Sequence, residues 1–404
     1  MHLFGSSVIN KIVSFLGNII IVRLISKADY GVYSNANNIL GFFCLLESFG
    51  MSTTLLQYGC VETGEKKKKI WEFCFTIAII FNILLCVAIF FTGMFAKFSI
   101  EGTGHILMLM SFLPLARSIG DLQRVYMRTE FLNKEYARTN NVSTIVTVVL
   151  TIILSYCLLV NGMILATYLS AIIVIIYICV KYKINIPKFR IKVDRLLCKE
   201  IVNFSLISML NNSTSSIMYL LDTFVLGIVV AQSVVTASYK VATTIPTALA
   251  FIPTCVMLYI YPHFAKKSND TKWCMRNYKR VLFLFGGFNL CIVSVLVVFA
   301  PLFIRFIFGV QYLDALIPFR ILCINYFFHA TFRTVPGQLL VTQKKLGFNT
   351  FVGFSSSILN TILNLVLIPR YSATGAALAT FIVTFLFACM STTYLYVVYK
   401  KQID

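Results

Sequence analysis

The sequence predicts an all-α integral membrane protein whose twelve transmembrane helices form two six-helix lobes. Three observations lead to this fold class. The 404 residues are 58% hydrophobic and 12% charged, whereas about 25% of the residues of an average soluble domain are charged. Apolar windows near the length of about 20 residues that spans hydrocarbon recur along the whole chain. Lys and Arg concentrate in alternate connections between these windows, as they do in the cytoplasmic loops of membrane proteins.

Six apolar windows precede a basic segment and six follow it, and we number the predicted spans 1–12. The first six windows are residues 5–25, 35–58, 73–95, 104–126, 140–160 and 163–180. The second six are residues 203–230, 239–263, 281–302, 313–339, 348–369 and 374–399. The predicted organisation is therefore a first lobe of residues 1–180, a linker of residues 181–202 and a second lobe of residues 203–404.

The linker is the most basic stretch of the chain. Within residues 181–200, seven Lys and Arg stand against two acids. Two interpretations stay open. The segment can be a hinge that lies on an anionic leaflet, where each Lys or Arg contributes about 1 kcal/mol, or it can be an ordinary basic cytoplasmic loop.

The loop charges also give an orientation. With the N-terminus inside, the cytoplasmic connections and the C-terminal tail carry 25 Lys and Arg. The opposite side carries four, which are Lys27, Lys97, Arg305 and Arg370. Because positive residues accumulate on the cytoplasmic side of a membrane protein, we predict that both termini are cytoplasmic.

Composition and motifs exclude several classes of function. The net charge of +20 would suit nucleic acid, but the basic residues are scattered among short loops, so no nucleic-acid partner is predicted. The sequence has no ATP-binding GxxxxGK[ST] loop, no HExxH motif and no large extramembrane domain, which predicts that the protein is not an enzyme. Its twelve cysteines show no CxxC spacing or Cys/His cluster, so neither a metal nor a cofactor is predicted.

Polar residues recur at helical spacing in spans 1 and 7. Those of span 1 are Ser7, Lys11, Ser14 and Asn18, and those of span 7 are Ser208, Asn212, Ser215, Tyr219 and Asp222. We predict that these matched stripes line opposite walls of one central cavity. The alternative is hydrogen bonding between packed helices.

Ionisable residues at membrane depth cost about 2.5–3.5 kcal/mol each on insertion scales and mark functional positions. Cations outnumber acids here: Lys11, Arg23, Arg117, Lys240, Arg320 and Arg333 stand against Glu47, Asp121 and Asp222. This balance predicts a cavity that binds an anionic substrate. The predicted substrate-binding residues are Lys11, Arg117, Lys240, Arg320 and Arg333, and the predicted polar lining is Ser14, Asn18, Asn212, Ser215 and Asp222.

Four of these ionisable residues have more than one interpretation. Arg117 and Asp121 are four residues apart and can neutralise one another on one helix face. Glu47 and Asp222 are candidates for coupling transport to an ion, because a carboxyl group inside the membrane can exchange a proton or bind a cation. Glu47 can equally be a protonated structural residue.

The two halves of the chain also share a faint similarity. The tight turn at residues 160–162 matches residues 371–375, and residues 46–58 echo residues 252–264. Each predicted lobe has an even number of helices, so both lobes enter the membrane from the same side. This arrangement predicts parallel repeats related by a pseudo-two-fold axis along the membrane normal.

Three stretches together resemble a known family. The first is RLIS at 23–26, DYGVY at 29–33 and FGM at 49–51. The second is LDTFVLG at 221–227 with ASYKVA at 237–242, and the third is NTILN at 360–364, LIPRY at 367–371 and GAALAT at 375–380. They are similar to the Wzx-type polysaccharide and O-antigen flippases of the multidrug/oligosaccharidyl-lipid/polysaccharide (MOP) exporter superfamily.

The resemblance implies a MATE-like fold and a flippase function. Such a protein moves an undecaprenyl-pyrophosphate-linked oligosaccharide, the repeat unit of O-antigen, capsule or exopolysaccharide, from the cytoplasmic to the outer leaflet of the bacterial inner membrane by alternating access. Membrane lipids are implied partners, and glycan polymerase and chain-length proteins are candidates. The thirteenth and fourteenth helices of peptidoglycan-precursor flippases have no counterpart here, which favours export of a lipid-linked repeat unit.

Two other functions stay open. A proton- or Na⁺-coupled multidrug or metabolite antiporter would have the same fold, but one that carries cationic drugs would have an acid-rich cavity. A membrane glycan polymerase would need a large outer loop with catalytic residues, and the longest outer connections here are about a dozen residues.

Overall fold

The helices of the chain follow the predicted spans closely. The structure, a computed structural model, describes residues 2–189, 194–343 and 345–401, and within these ranges all regular secondary structure is helical. The chain forms two units, Met1–Leu220 and Leu221–Asp404. Each unit is a bundle of packed helices, and each is described separately.

Seven helices and part of an eighth build the first unit. The seven are α1 (His2–Leu24), α2 (Lys27–Cys44), α3 (Met51–Val61), α4 (Gly64–Phe95), α5 (Thr103–Met110), α6 (Leu113–Thr129) and α7 (Asn133–Tyr182). Helix α8 (Arg195–Val229) begins in the first unit and ends in the second. Span 1 is α1, span 2 is α2 with α3, span 3 is α4, span 4 is α5 with α6, and spans 5 and 6 are the two arms of α7.

Besides short π or 3₁₀ turns at Ile304–Phe308, Val310–Ala315 and His329–Thr334, the described part of the second unit has seven further α-helices. They are α9 (Ser233–Leu249), α10 (Phe251–Lys266), α11 (Thr271–Val298), α12 (Ala300–Phe303), α13 (Leu316–Phe328), α14 (Val335–Thr342) and α15 (Leu346–Lys401). Spans 11 and 12 are the two arms of α15. In the part of the chain that the structure describes, nine helices are long and apolar enough to cross a membrane, so the predicted all-α membrane protein is confirmed.

The border between the units lies inside α8 rather than in the loop before it. Helix α8 begins at Arg195, earlier than the predicted span 7, and its first turns pack on α3. There the Ser205 and Thr54 hydroxyls are hydrogen-bonded at 2.7 Å, and Ile201 is fully buried against Met51 and its neighbours. The division into lobes 1–180 and 203–404 with a linker at 181–202 stays a prediction.

The repeated turn predicted at residues 160–162 and 371–375 is confirmed. Helix α7 bends at Leu159, whose φ and ψ are 52° and −128°, and α15 bends at Ser372 with 53° and −132°. One residue of positive φ thus reverses the chain direction in each unit. The two hairpins are the same local structure built twice.

A glycine three residues after each bend lets the two arms meet. A Cβ at Gly162 would lie 2.0 Å from the Leu154 carbonyl oxygen, and a Cβ at Gly375 would lie 2.3 Å from the Leu367 carbonyl oxygen. Only a hydrogen atom fits at these positions. The sequence similarity between the two turns therefore reflects one packing requirement, which is backbone contact between antiparallel arms.

Span 2 contains a break that the sequence did not predict. Ser48, Phe49 and Gly50 are all left-handed, with φ of 55°, 50° and 70°. The Ser48 N–H donates to the Asn82 side-chain oxygen at 2.8 Å, and the Asn82 amide donates back to the Ser48 hydroxyl at 3.1 Å. Gly50 lies against α8, where a Cβ would be 2.3 Å from the Ser205 carbonyl oxygen. A broken helix is tolerated at membrane depth because such partners satisfy its free backbone groups.

Candidate functional site

Asp222 is a buried carboxylate held by three different helical segments. It lies on α8, and only 7% of its surface is exposed. The Tyr239 hydroxyl of α9 donates to its Oδ2 at 2.9 Å, and the Thr380 hydroxyl of α15 donates to the same oxygen at 2.5 Å. The Asn364 amide of α15 donates to its Oδ1 at 2.7 Å. These donors are all neutral, and Asp222 forms no ion pair with any Lys or Arg among the described residues.

Two asparagines extend this cluster. The Asn364 amide also donates to Asn360 Oδ1 at 3.0 Å, and the Asn360 amide donates to the Thr380 hydroxyl at 3.4 Å. Asn364 Oδ1 is buried and has no hydrogen-bond partner among the residues that the structure describes.

The chemistry of the cluster suits a proton or a hard monovalent cation. An ionised carboxylate is costly to bury, and a proton or a bound cation would reduce that cost further than the three hydrogen bonds do. Carboxylate, amide and hydroxyl oxygens are ligands of hard cations. Among the described residues, no group of three or more His, Cys, Asp and Glu lies together, and a transition-metal site has no support in them.

The α15 hairpin explains how this cluster forms and why sequence reasoning missed it. Asn364 and Thr380 each lie eight residues from the bend at Ser372, so the antiparallel arms place them side by side. The sequence pattern predicted a role for Asp222 but not for its partners. Two signals were available. Every partner lies in one of the stretches that carry the family resemblance, and the i, i+4 spacing of Asn360 and Asn364 inside an apolar span puts two amides on one helix face.

The first unit has a related but uncharged contact. Tyr30 and Tyr239 occupy the same position in an Ala-x-Tyr-x-Val repeat at 28–32 and 237–241, and both are buried. The Tyr30 hydroxyl donates to Asn18 Oδ1 at 3.5 Å. In the second unit, the corresponding Tyr239 hydroxyl donates to the Asp222 carboxylate. The carboxylate thus distinguishes the second unit from the first. Asn18, predicted to line a cavity, is half-buried in this contact.

The first unit contains two adjoining polar pockets. The larger, about 510 Å³, is lined by Asn10, Ser52, Asp121, Arg124, Val125, Tyr136, Asn140, Ser143 and Thr144. The smaller, about 240 Å³, is lined by Arg117, Gly120, Asp121, Arg124, Ser143, Thr147, Thr167, Ser170, Ala171 and Val174. They share Asp121, Arg124 and Ser143. We call the larger the α1–α6–α7 pocket and the smaller the Arg117 pocket.

Arg117 is the predicted substrate-binding cation with the clearest position. It lies in the Arg117 pocket, its side chain is exposed, and it makes no hydrogen bond or ion pair with any residue that the structure describes. Asp121 pairs with Arg124 instead. The alternative in which Arg117 and Asp121 neutralise one another is therefore wrong, because Asp121 turns toward the residue three positions later rather than four earlier. Glu47, half-buried beside the span 2 break, interacts electrostatically with Asp121 and Arg117.

The other predicted residues are divided between the units. Lys11 and Ser14 lie exposed on α1 of the first unit, and Lys240 is half-buried on α9 of the second. Arg320 Nε donates to the Val297 carbonyl at 3.1 Å, near the C-terminal end of α11, where a cation is favoured. Arg333 Nη2 donates to the Ser356 hydroxyl at 3.0 Å. The side chains of Asn212 and Ser215 lie outside the described residues.

Comparison with known proteins identifies the family. Residues 20–317 match the sequence pattern of a family described as polysaccharide biosynthesis protein, which is most of the chain. The chain belongs to this family. A relative of this polysaccharide biosynthesis protein is an uncharacterized membrane protein of Methanocaldococcus jannaschii, 21% identical over 401 residues, with 91% of this chain and 77% of the relative covered.

Solved structures show the fold of this polysaccharide biosynthesis protein. It is similar to the lipid II flippase MurJ in its inward closed conformation, with a TM-score of 0.79, 14% identity, and 97% of this chain and 86% of that chain covered. It is also similar to an inward-facing multidrug resistance MATE family transporter, with a TM-score of 0.69, 13% identity and coverage of 97% and 95%.

A third similar structure is that of a MOP superfamily transporter from Pyrococcus furiosus. It has a TM-score of 0.62, 14% identity and coverage of 100% and 96%. The reverse polarity of the binding pocket of that transporter suggests a different function for it. The predicted MATE-like fold is thus confirmed.

Proposed function

We propose that this polysaccharide biosynthesis protein is a flippase for an undecaprenyl-pyrophosphate-linked oligosaccharide. The observation that carries the proposal is the pair of polar pockets in the first unit, with the unpaired Arg117 in one of them. Polar groups at membrane depth are costly and mark transport pathways. The sugar and pyrophosphate of a lipid-linked oligosaccharide cannot cross hydrocarbon, and pockets lined by hydroxyl, amide and guanidinium groups replace their water.

The cations are the proposed ligands of the pyrophosphate. In this proposal Lys11 and Arg117 of the first unit and Lys240, Arg320 and Arg333 of the second hold the anion at successive stages while the two lobes alternate between inward-open and outward-open states. The free guanidinium of Arg117 supports this role, since Arg binds phosphate oxygens with two parallel hydrogen bonds. The reverse pocket polarity of the Pyrococcus furiosus transporter agrees with a fold that accepts cargo of different charge.

Asp222 is the proposed coupling group. Of the two predicted candidates, Asp222 is the one with oxygen ligands from three helical segments and an orphaned amide oxygen beside it. Glu47 instead lies near the charges of Arg117 and Asp121. A proton or cation that crosses the membrane with one elementary charge supplies about 2.3 kcal/mol per 100 mV, which can drive the return of the empty carrier.

An ion-coupled antiporter for drugs or metabolites is the second candidate function. The buried Asp222 favours it, because a coupling carboxylate serves either cargo, and the MATE transporter shares the fold. The two functions differ in what accumulates when the protein is lost. A flippase deletion leaves a lipid-linked oligosaccharide in the cytoplasmic leaflet, which mass spectrometry of the lipid extract identifies, whereas an antiporter deletion does not.

Replacing Arg117 with alanine tests the proposed anion pathway. We expect export to slow about tenfold or more, because a hydrogen bond to a charged group contributes about 1.5–3 kcal/mol. Arg117→Lys should restore part of the rate, since it keeps the charge but loses the bidentate geometry. Lipid-linked oligosaccharide is measured in cells with matched membrane abundance of each variant.

Arg305→Ala is the matched control, because Arg305 is exposed in the π-helical turn Ile304–Phe308, in a connection that is predicted to lie outside. It should export normally. If Arg117→Ala exports at the wild-type rate and is present at normal abundance, Arg117 does not bind the substrate during export. The cationic-cavity proposal would then lose its strongest support.

Single-cysteine labelling tests the proposed orientation. In a cysteine-free background, Gln232→Cys in the connection between α8 and α9 should react with an impermeant maleimide added to intact cells. Lys188→Cys, exposed in the linker, should react only after the cells are permeabilised. Labelling of Lys188→Cys in intact cells would reverse the predicted topology and place the basic loops outside.

A further inference from the structure

The α1–α6–α7 pocket has a lining that a pyrophosphate site does not explain. Every lining residue except Val125 carries a polar group, yet the pocket contains just one pair of opposite charges, Asp121 and Arg124, which neutralise each other. The rest of the lining is amide, hydroxyl and phenol. A site for a bare anion would have unpaired cations, and a site for a lipid tail would be apolar.

These groups complement the hydroxyls of a sugar. The Asp121 carboxylate accepts hydrogen bonds and the adjacent Arg124 guanidinium donates them. The amide of Asn140 can do both, and Asn10 Oδ1 is a buried acceptor with no hydrogen-bond partner in the described part of the chain. The Tyr136 ring offers a flat apolar surface. The volume of about 510 Å³ lies in the range of about 300–1,000 Å³ that is usual for small-ligand sites.

The two pockets are also ordered along the helices. Arg124 and Arg117 are separated by seven residues of α6, which is about 10 Å along the helix axis, and Ser143 lines both pockets. The α1–α6–α7 pocket lies nearer the helix ends that the topology predicts to be cytoplasmic. A ligand that occupies both pockets would place one polar part toward the cytoplasm and another beside Arg117, deeper in the unit.

We propose that the α1–α6–α7 pocket is a binding subsite for the sugar residues of the substrate, separate from the phosphate-binding Arg117 pocket. The proposal rests on the proposed flippase function and adds to it a site for glycan recognition. Sugar hydroxyls contact Asp121, Arg124 and Asn140, while the pyrophosphate lies at Arg117. The subsite makes the first unit discriminate a loaded lipid carrier from an empty one.

The experiment compares two lipids on the purified full-length protein in nanodiscs. One is undecaprenyl pyrophosphate, which has no sugar, and the other is the lipid-linked oligosaccharide extracted from the deletion strain. The wild type should bind the second more tightly. Asn140→Leu should weaken binding of the lipid-linked oligosaccharide about tenfold, as expected for lost hydrogen bonds in a buried site, and leave binding of undecaprenyl pyrophosphate unchanged. Arg117→Ala should weaken both.

Controls separate loss of the subsite from loss of the fold. Asn161→Leu is the same substitution on the same helix, but Asn161 is exposed outside the pocket, so it should bind both lipids normally. Thr144→Leu fills the pocket from a residue that does not line the Arg117 pocket, and it should reproduce the effect of Asn140→Leu if that variant is unstable. Equal binding of both lipids by the wild type, or unchanged binding by both pocket variants, overturns the subsite alone. If the wild type binds neither lipid, the proposed function fails and the subsite with it.

Discussion

Replacing Asp222 with alanine is expected to abolish export and to lower the amount of folded protein. The change removes the acceptor of Tyr239, Thr380 and Asn364, and each buried donor left without a partner costs about 1–3 kcal/mol. Because this variant combines loss of charge with loss of packing, Asp222→Asn is the decisive one. It keeps the size and one acceptor oxygen, so it should reach the membrane in near-normal amounts and still fail to export.

Asp270→Asn provides the matched control for the loss of a carboxylate. Asp270 caps α11 by accepting the Trp273 N–H, and asparagine caps a helix about as well. This variant should export normally. If Asp222→Asn exports at the wild-type rate at normal abundance, the carboxylate is a structural hydrogen-bond acceptor and the coupling proposal is wrong.

Thermal stability identifies what Asp222 binds. A cation that binds the folded protein alone raises its melting temperature with concentration. If the cluster binds Na⁺, wild-type protein in detergent should be more stable in Na⁺ than in K⁺ at equal ionic strength, and Asp222→Asn should lose that difference. Equal stability in both salts would exclude a Na⁺-selective site.

Placing a methyl group at the hairpin glycines is the second change with a large expected effect. Gly162→Ala and Gly375→Ala would each put a Cβ against a backbone carbonyl oxygen, at 2.0 and 2.3 Å, and a backbone atom cannot rotate away as a side chain does. Overpacking typically costs about 1–3 kcal/mol, and we expect both variants to reach or exceed the upper end. The measurement is membrane abundance together with melting temperature after detergent extraction.

The same helix offers the matched control. Gly353 lies in α15 like Gly375, but a Cβ there would meet nothing within 4 Å. Gly353→Ala should be neutral or slightly stabilising, because alanine favours helix more than glycine. Wild-type melting temperatures for Gly162→Ala and Gly375→Ala would show that the arms can separate without cost, and that the repeated bend does not hold the two spans together.

Much of the fold follows from local properties of the sequence. A span is recognised by its own length and apolar content, and these properties placed a helix at every predicted window. The repeated turns could also be predicted, because Gly162 and Gly375 interrupt apolar runs at matching places. Hydrophobicity and glycine content are local properties of a segment, so the spans and turns could be predicted without knowing which distant residues contact them.

The break in span 2 could not be predicted from the local sequence. Nothing in Ser48 or Phe49 favours positive φ, and the sequence predicts an unbroken helix there. The break exists because Asn82 on α4 binds the freed backbone of Ser48 and because α8 packs against Gly50. These partners lie far along the chain, so the tertiary structure decided this feature.

The features of the candidate sites also separate into those that the sequence predicts and those that only the structure shows. The sequence by itself determined that the protein spans the membrane, that its spans carry more cations than acids, and that Asp222 lies within a span. Asp121 had two possible partners on its own helix, Arg117 and Arg124, and the structure pairs it with Arg124. Only the tertiary structure decided that Asn364 and Thr380, which are 142 and 158 residues from Asp222 in the chain, bind its carboxylate. The physical reason is that composition and helical period are properties of one segment, whereas hydrogen-bond partners depend on which segments the fold packs together.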